Sequence, residues 1–302
     1  MTTPDEPQPL LPPELEKEIF EVSVLSNLRL IPKFVLVAKR VRAWLEPMLY
    51  KYLSVSHSHP ADWKDQPSRL VHMSSEQCRR ILKSKPPSFF QNHVHHLAFT
   101  NLLDEETVRR VLSCCTGIRS LAIFQMDPNS IFLPLIQAAP LVRLSVRFDQ
   151  LCDPRSHFEP TAFPHLTHLD LSTSTNTSCW TRDLVSLPSL THLLVYWSKT
   201  TTLPFRTVLA DCKTLEVLIC RIDHFTQVPY YDYFAGDIRA VTMFSAKFLP
   251  NWEREMIGGE DYWFVADEFV RRRRSREIPA SRYLIPRYWS PSGADVVLSK
   301  YF

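Results

Sequence analysis

Two imidazoles and a carboxylate carry the sharpest chemical possibility in this chain. His168 and His192 fall at matching points of a repeating pattern, and Asp170 follows the first by two residues. On neighbouring strands the two rings would lie about 5 Å apart, and two nitrogens with one carboxylate form a donor set for Zn²⁺. The competing assignment is a pair of solvated histidines on a binding face. We adopt the second and assign no metal. A second cluster, His93-x-His95-His96, is weaker because strand alternation divides it between two faces. Vicinal Cys114 and Cys115 could form a redox element, or could simply close a helix ahead of Gly117. The chain has only 5 glycines and contains no G-x-G-x-x-G, Walker loop, G-x-S-x-G or H-E-x-x-H. No enzyme activity and no cofactor are expected.

What positions these residues is a repeated apolar triad, Leu-x-x-Leu-x-Leu or a close variant. Its instances are Val94/Leu97/Phe99, Ile118/Leu121/Ile123, Leu141/Leu144/Val146, Leu166/Leu169/Leu171, Leu190/Leu193/Val195, Leu215/Leu218/Cys220 and Ile238/Val241/Met243. Successive middle members are 24, 23, 25, 24, 25 and 23 residues apart. Near-constant spacing in this range marks a leucine-rich repeat solenoid, an α/β architecture with a curved parallel sheet and helical or irregular returns. Such a body is a surface for holding another macromolecule, so binding is the expected function.

Composition agrees. At 45% hydrophobic residues the chain can bury a large core, and a net charge of +3 is too small for a nucleic-acid field, so no nucleic-acid partner is expected. No apolar run approaches the length of a membrane span, and Met1 to Pro9 is polar and proline-rich, unlike a secretory signal. Seven cysteines without a C-x-x-C pair fit a reduced interior, cytoplasmic or nuclear.

Along the chain, residues 1–9 form a tail and 10–50 a helical module, with Leu15, Ile19 and Val22 on one apolar face. Residues 51–91 hold a first strand, within 50–56, and a poorly specified insertion. The repeats run over 92–249, with clear return helices at 104–115 and 203–212. A helical cap spans 250–278 and closes the exposed end of the stack. Residues 279–302 form an aromatic-rich tail.

The opening segment Leu11-Pro12-Pro13-Glu14-Leu15 with Ile19-Phe20, Ile31-Pro32, Leu36-Val37-Ala38-Lys39-Arg40-Val41 and Trp44 to Tyr50 resembles an F-box-like domain. With the repeats, the Leu-Tyr-x-x-Leu-x-Val run at 49–55 and Asp261-Tyr262-Trp263, the chain is similar to the F-box-like leucine-rich-repeat proteins abundant in mushroom-forming fungi. That resemblance implies docking on the Skp-type adaptor of a cullin ubiquitin ligase. Carried over by position, Leu11, Pro12, Leu15, Ile19, Phe20, Ile31, Leu36, Val37 and Trp44 would form or support the docking face. The repeats would then choose an unknown protein target. Two alternatives stand beside this: the N-terminal helices only shield the first repeat, or the chain is a scaffold that recruits no ligase.

If the triads point inward, the residues flanking them line the concave sheet. The last repeat then exposes Ala240, Thr242 and Phe244, and charged and aromatic side chains gather on the central strip. Phe124, Arg143, Arg147, His168, Asp170, His192, Leu194, Tyr196, Ile219 and Arg221 are the expected target contacts, in the aromatic-plus-arginine chemistry of interface hot spots. The run Arg271 to Arg274 with Arg276 is either a nuclear-import signal or, the preferred assignment, a set of cations at the negative end of a helix.

Overall fold

The computed structural model describes residues 11–25, 28–57, 71–100, 103–124, 133–147, 159–172, 181–196, 204–223, 234, 236–244, 248–256, 258–287, 289 and 291. Three helices come first: α1 (Pro13–Leu25), α2 (Ile31–Phe34) and α3 (Lys39–Tyr50). Strands β1 (Tyr52–Ser56) and β2 (Val71–Ser74) follow, then helices α4 (Ser75–Ser84) and α5 (Pro87–His93). The regular alternation starts with β3 (His96–Thr100), α6 (Glu105–Cys114), β4 (Ser120–Ile123), α7 (Leu133–Ile136) and β5 (Arg143–Arg147). It continues through β6 (His168–Ser172), α8 (Thr181–Val185), β7 (His192–Tyr196), α9 (Phe205–Asp211), β8 (Val217–Ile222) and β9 (Ala240–Phe244). Helices α10 (Phe248–Met256) and α11 (Tyr262–Arg274) come last.

All nine strands join one parallel sheet in the order β2-β1-β3-β4-β5-β6-β7-β8-β9. Parallel neighbours need a crossover of a dozen or more residues, which is what a repeat of this length leaves after its strand. The register places Leu53, Leu97, Leu121, Leu144, Leu169, Leu193 and Leu218 in one row across seven strands. Each is at most 3% exposed. This row, with Val108, Leu112, Phe205 and Val208 of the return helices, forms the main core. The architecture is mixed α/β and compatible with a curved solenoid.

Local chemistry explains the returns. Asp104 caps α6 by accepting from the Thr107 N–H at 2.8 Å, and Ser74 with Gln77 forms a reciprocal capping box on α4. Gly117 is needed for close approach: a Cβ there would sit 2.0 Å from the Gln91 carbonyl oxygen of α5.

Three expectations about the fold need correction. The 57–91 stretch contains a further repeat-like strand, β2, which pairs with β1 through Leu53 and Val71 and forms the sheet edge. The seventh triad is off by one: Leu218 faces Ala240, so Ala240 and Phe244 join the main core, and Val241 and Met243 turn to the other face. The helices expected to cap the end of the stack lie over the front face of the sheet, opposite the return helices. The β9 edge is instead met by the tail: Thr242 donates its N–H to Tyr283 O (2.7 Å), and Ile285 donates to Thr242 O (2.8 Å).

Candidate functional site

Small residues make room on one half of the front face. Its middle row reads Ser54, Ala98, Ala122, Ser145, Asp170, Leu194, Ile219, Val241. Ala98 and Ala122 share a buried cluster with Trp252 and Met256 of α10 and with Val24, Ile31, Val41 and Leu45 of the N-terminal helices. Toward β9 the row turns large. There Leu194, Ile219 and Val241 pack on Trp263, Ala266, Phe269 and Val270 of α11. At about 25 cal/mol per Å² of apolar burial, such a covering is a core in its own right.

The middle of the strip expected to grip a target is therefore covered by the protein itself, and for Asp170, His192, Leu194 and Ile219 that expectation is corrected. Leu194 and Ile219 are fully buried, Asp170 is 1% exposed, and His192 is also buried. Arg143 is half-buried with its guanidinium 3.7 Å from Asp261, and Phe124 packs against the N-terminal cluster. Arg147 is half-buried at the edge of the strip. Tyr196 donates its hydroxyl to Asp223, and its ring lies 5.7 Å from the Arg221 guanidinium.

His168 and His192 do occupy one row, with rings stacked face to face at 4.1 Å. Three of the four ring nitrogens have partners within the protein. Each Nδ1 bonds the hydroxyl of the preceding threonine, Thr167 at 2.8 Å and Thr191 at 2.7 Å, and His192 Nε2 meets Asp267 at 2.9 Å. Trp263 lies edge-on to both rings. Burial first, then His192 and Arg143, hold the pKa of His168 far down, to about 2, so this ring is neutral. Asp170 accepts from the Tyr262 hydroxyl at 3.3 Å and from Arg221 at 3.5 Å. Burial pushes its carboxyl above the ordinary range against the pull of Arg221. The cluster orients α11 on the sheet, through Asp267 on His192 and Trp263 edge-on to both rings.

The N-terminal helices carry the open apolar surface. Leu15, Ile19, Val22 and Leu25 run along α1, Leu11 (43% exposed) stands just before it, and Leu36 (83%) and Val37 stand exposed between α2 and α3. The apolar face of α1 holding Leu15, Ile19 and Val22 faces outward, and only Val24 of this helix is buried. The salt bridge from Arg40 to both Glu16 oxygens (2.9 and 2.8 Å) ties α3 to α1. Of the remaining expected docking residues, Pro12 is exposed, Phe20 sits edge-on to Phe34 at 5.7 Å, Trp44 is half-buried and Ile31 is fully buried. Ile31 thus supports this face without forming it.

The arginine run is absorbed structurally. Arg271 and Arg272 pair with Glu268. Arg273 is 1% exposed and donates to the carbonyls of Ile238 and Ala240 at 2.8 and 2.7 Å, and Arg274 reaches Glu216 O. Cys115 is buried, and desolvation raises its thiol pKa, the opposite of what a reactive thiol needs. Among the described residues no helix is long and apolar enough to cross a membrane. No protein-family model matches this chain, and no curated protein matches it.

Proposed function

We propose that this chain is a non-catalytic protein-binding adaptor whose N-terminal helices dock on the Skp-type adaptor of a cullin ubiquitin ligase. The observation that carries this is the exposed apolar side chains of this module: Leu11, Leu15, Ile19 and Val22 on and just before α1, and Leu36 and Val37 between α2 and α3. Exposed apolar surface of this kind marks an interaction site, and these side chains lie in the segment that resembles an F-box-like domain. The repeat body would then hold a target and raise its effective concentration at the ligase. Because α11 and α10 cover most of the front face, the target surface in this account lies outside the covered middle row.

Affinity purification of the full chain under native conditions, followed by identification of what is retained, tests the proposal. Recovery of a Skp-type adaptor with a cullin supports it. Their absence, with the chain folded, refutes it and leaves a scaffold that recruits no ligase.

A further inference from the structure

An open cleft lies at the end of the sheet where β1, β3 and β4 begin, beside the cluster that covers Ala98 and Ala122. Lys51 precedes β1, His95 precedes β3 and Arg119 precedes β4, and the ladder fixes their order. His95 N donates to Lys51 O at 3.2 Å, and Arg119 N donates to His95 O at 2.8 Å. Neighbouring strands are about 4.8 Å apart, so Lys51 and Arg119 stand roughly 10 Å apart with His95 and His96 between them. His93, at the end of α5, lines the same cleft, and Pro47 and Met48 of α3 supply its apolar side. The sequence pattern divides these histidines between faces; the structure brings them together because His93 ends a helix and His95 lies outside the strand.

Every ionisable side chain lining the cleft is lysine, arginine or histidine. The nearby Glu46 is engaged by Lys85 at 2.7 Å and by Arg42 at 3.4 Å. The His96 ring stacks on Tyr52 at 4.8 Å, and Lys51 Nζ lies 5.1 Å from the same tyrosine ring. Burial first, then repulsion from Lys51, His95, Arg143 and Arg119, lowers the pKa of His96 to about 3. Burial and His95 lower that of His93 as well. Like charge is thus gathered without a lining carboxylate, and an anion placed between Lys51 and Arg119 would relieve it.

We propose that this cleft binds a phosphate group, with Lys51 and Arg119 supplying charge and His93 a hydrogen bond, while His95, whose Nδ1 donates to Gly117 O at 3.4 Å, lines the floor between them. A phosphate offers several acceptor oxygens and close to two negative charges near neutrality, which suits donors approaching from both sides. The site is independent of docking through α1, and failure of that docking leaves it untouched.

Isothermal titration at low ionic strength tests it, with inorganic phosphate and with a short phosphoserine peptide as separate probes, beside the unphosphorylated peptide. The full chain binds a phosphate-bearing probe and not the unphosphorylated peptide. Lys51→Ala and Arg119→Ala each weaken binding about tenfold, the size expected for loss of one charge-assisted hydrogen bond. Both residues are exposed, so the melting temperature stays unchanged. Tighter binding of the peptide than of inorganic phosphate identifies a protein-borne phosphate, and equal binding identifies a free one; either supports the site. Absence of binding by both probes, or parental affinity in the double variant, overturns it.

Discussion

Truncating Ile19 and Leu36 together separates a docking surface from a structural one. Leu36 is 83% exposed and Ile19 is 54% exposed, so the folded chain alone gains little from either. Complete burial of such a side chain contributes about 1.5–3 kcal/mol. A partner covering them would recover most of that range at Leu36 and about half at Ile19. Alanine keeps part of each contact, so the Ile19→Ala/Leu36→Ala pair costs about 2–3 kcal/mol of binding, or roughly 30- to 150-fold in Kd. The chain's own stability changes by less than about 0.5 kcal/mol, as for surface sites away from special features. The assay is surface plasmon resonance against a purified Skp-type adaptor, with thermal unfolding run in parallel. A double variant that binds within about threefold of the parent would refute the assignment of this face. A large drop in melting temperature would instead show that these side chains are packed, contrary to their exposure.

Three further outcomes follow from the packing. Phe269→Ala, at a fully buried position of α11, should destabilise by about 3–5 kcal/mol in urea unfolding, as a core aromatic does; a cost below about 1 kcal/mol would mean that α11 does not cover the sheet. Gly117→Ala should cost about 1–3 kcal/mol, because its Cβ meets the Gln91 carbonyl at 2.0 Å and backbone must move; unfolding at parental denaturant concentration would show that the two segments are not in contact. Asp170 carries a raised carboxyl pKa, from burial first and despite Arg221 and Tyr262. The unfolded chain therefore releases this proton at lower pH than the folded one, so its contribution to stability is largest below about pH 3.9 and declines as pH rises toward the folded value. Asp170→Asn removes that decline, and urea titrations between acidic and neutral pH should show a shallower loss than the parent; an unchanged slope would count against a buried, proton-retaining carboxyl.

The sheet was legible because one row of leucines per repeat is a strong, redundant signal, and it survives in the register from Leu53 to Leu218. Its front face was not. Alternation reveals an inward face only when the other face is wet, and Val217-Leu218-Ile219-Cys220 and Ala240-Val241-Thr242-Met243 are covered on both sides. That is also why the last triad slipped by one residue. Helical periodicity in α1 identified an apolar stripe but carried no information on what lies opposite it, and here only Val24 and its half-buried neighbours turn inward. Strand β2 escaped notice because Val71-His72-Met73-Ser74 is short and lacks the triad spacing. Of the expected target contacts, the row positions of His168 and His192 were readable, whereas the Asp267 partner of His192 depends on α11 folding back across 75 residues of sequence.

Covalent footprinting of the full chain, read by mass spectrometry residue by residue, bears most directly on which surface is open. The account predicts strong labelling at Leu15, Ile19 and Leu36 and protection at Leu194, Ile219 and Trp263, with added Skp-type adaptor suppressing only the first group. Equal labelling of both groups in the free chain, or adaptor protection that falls on the sheet and spares α1, would contradict it.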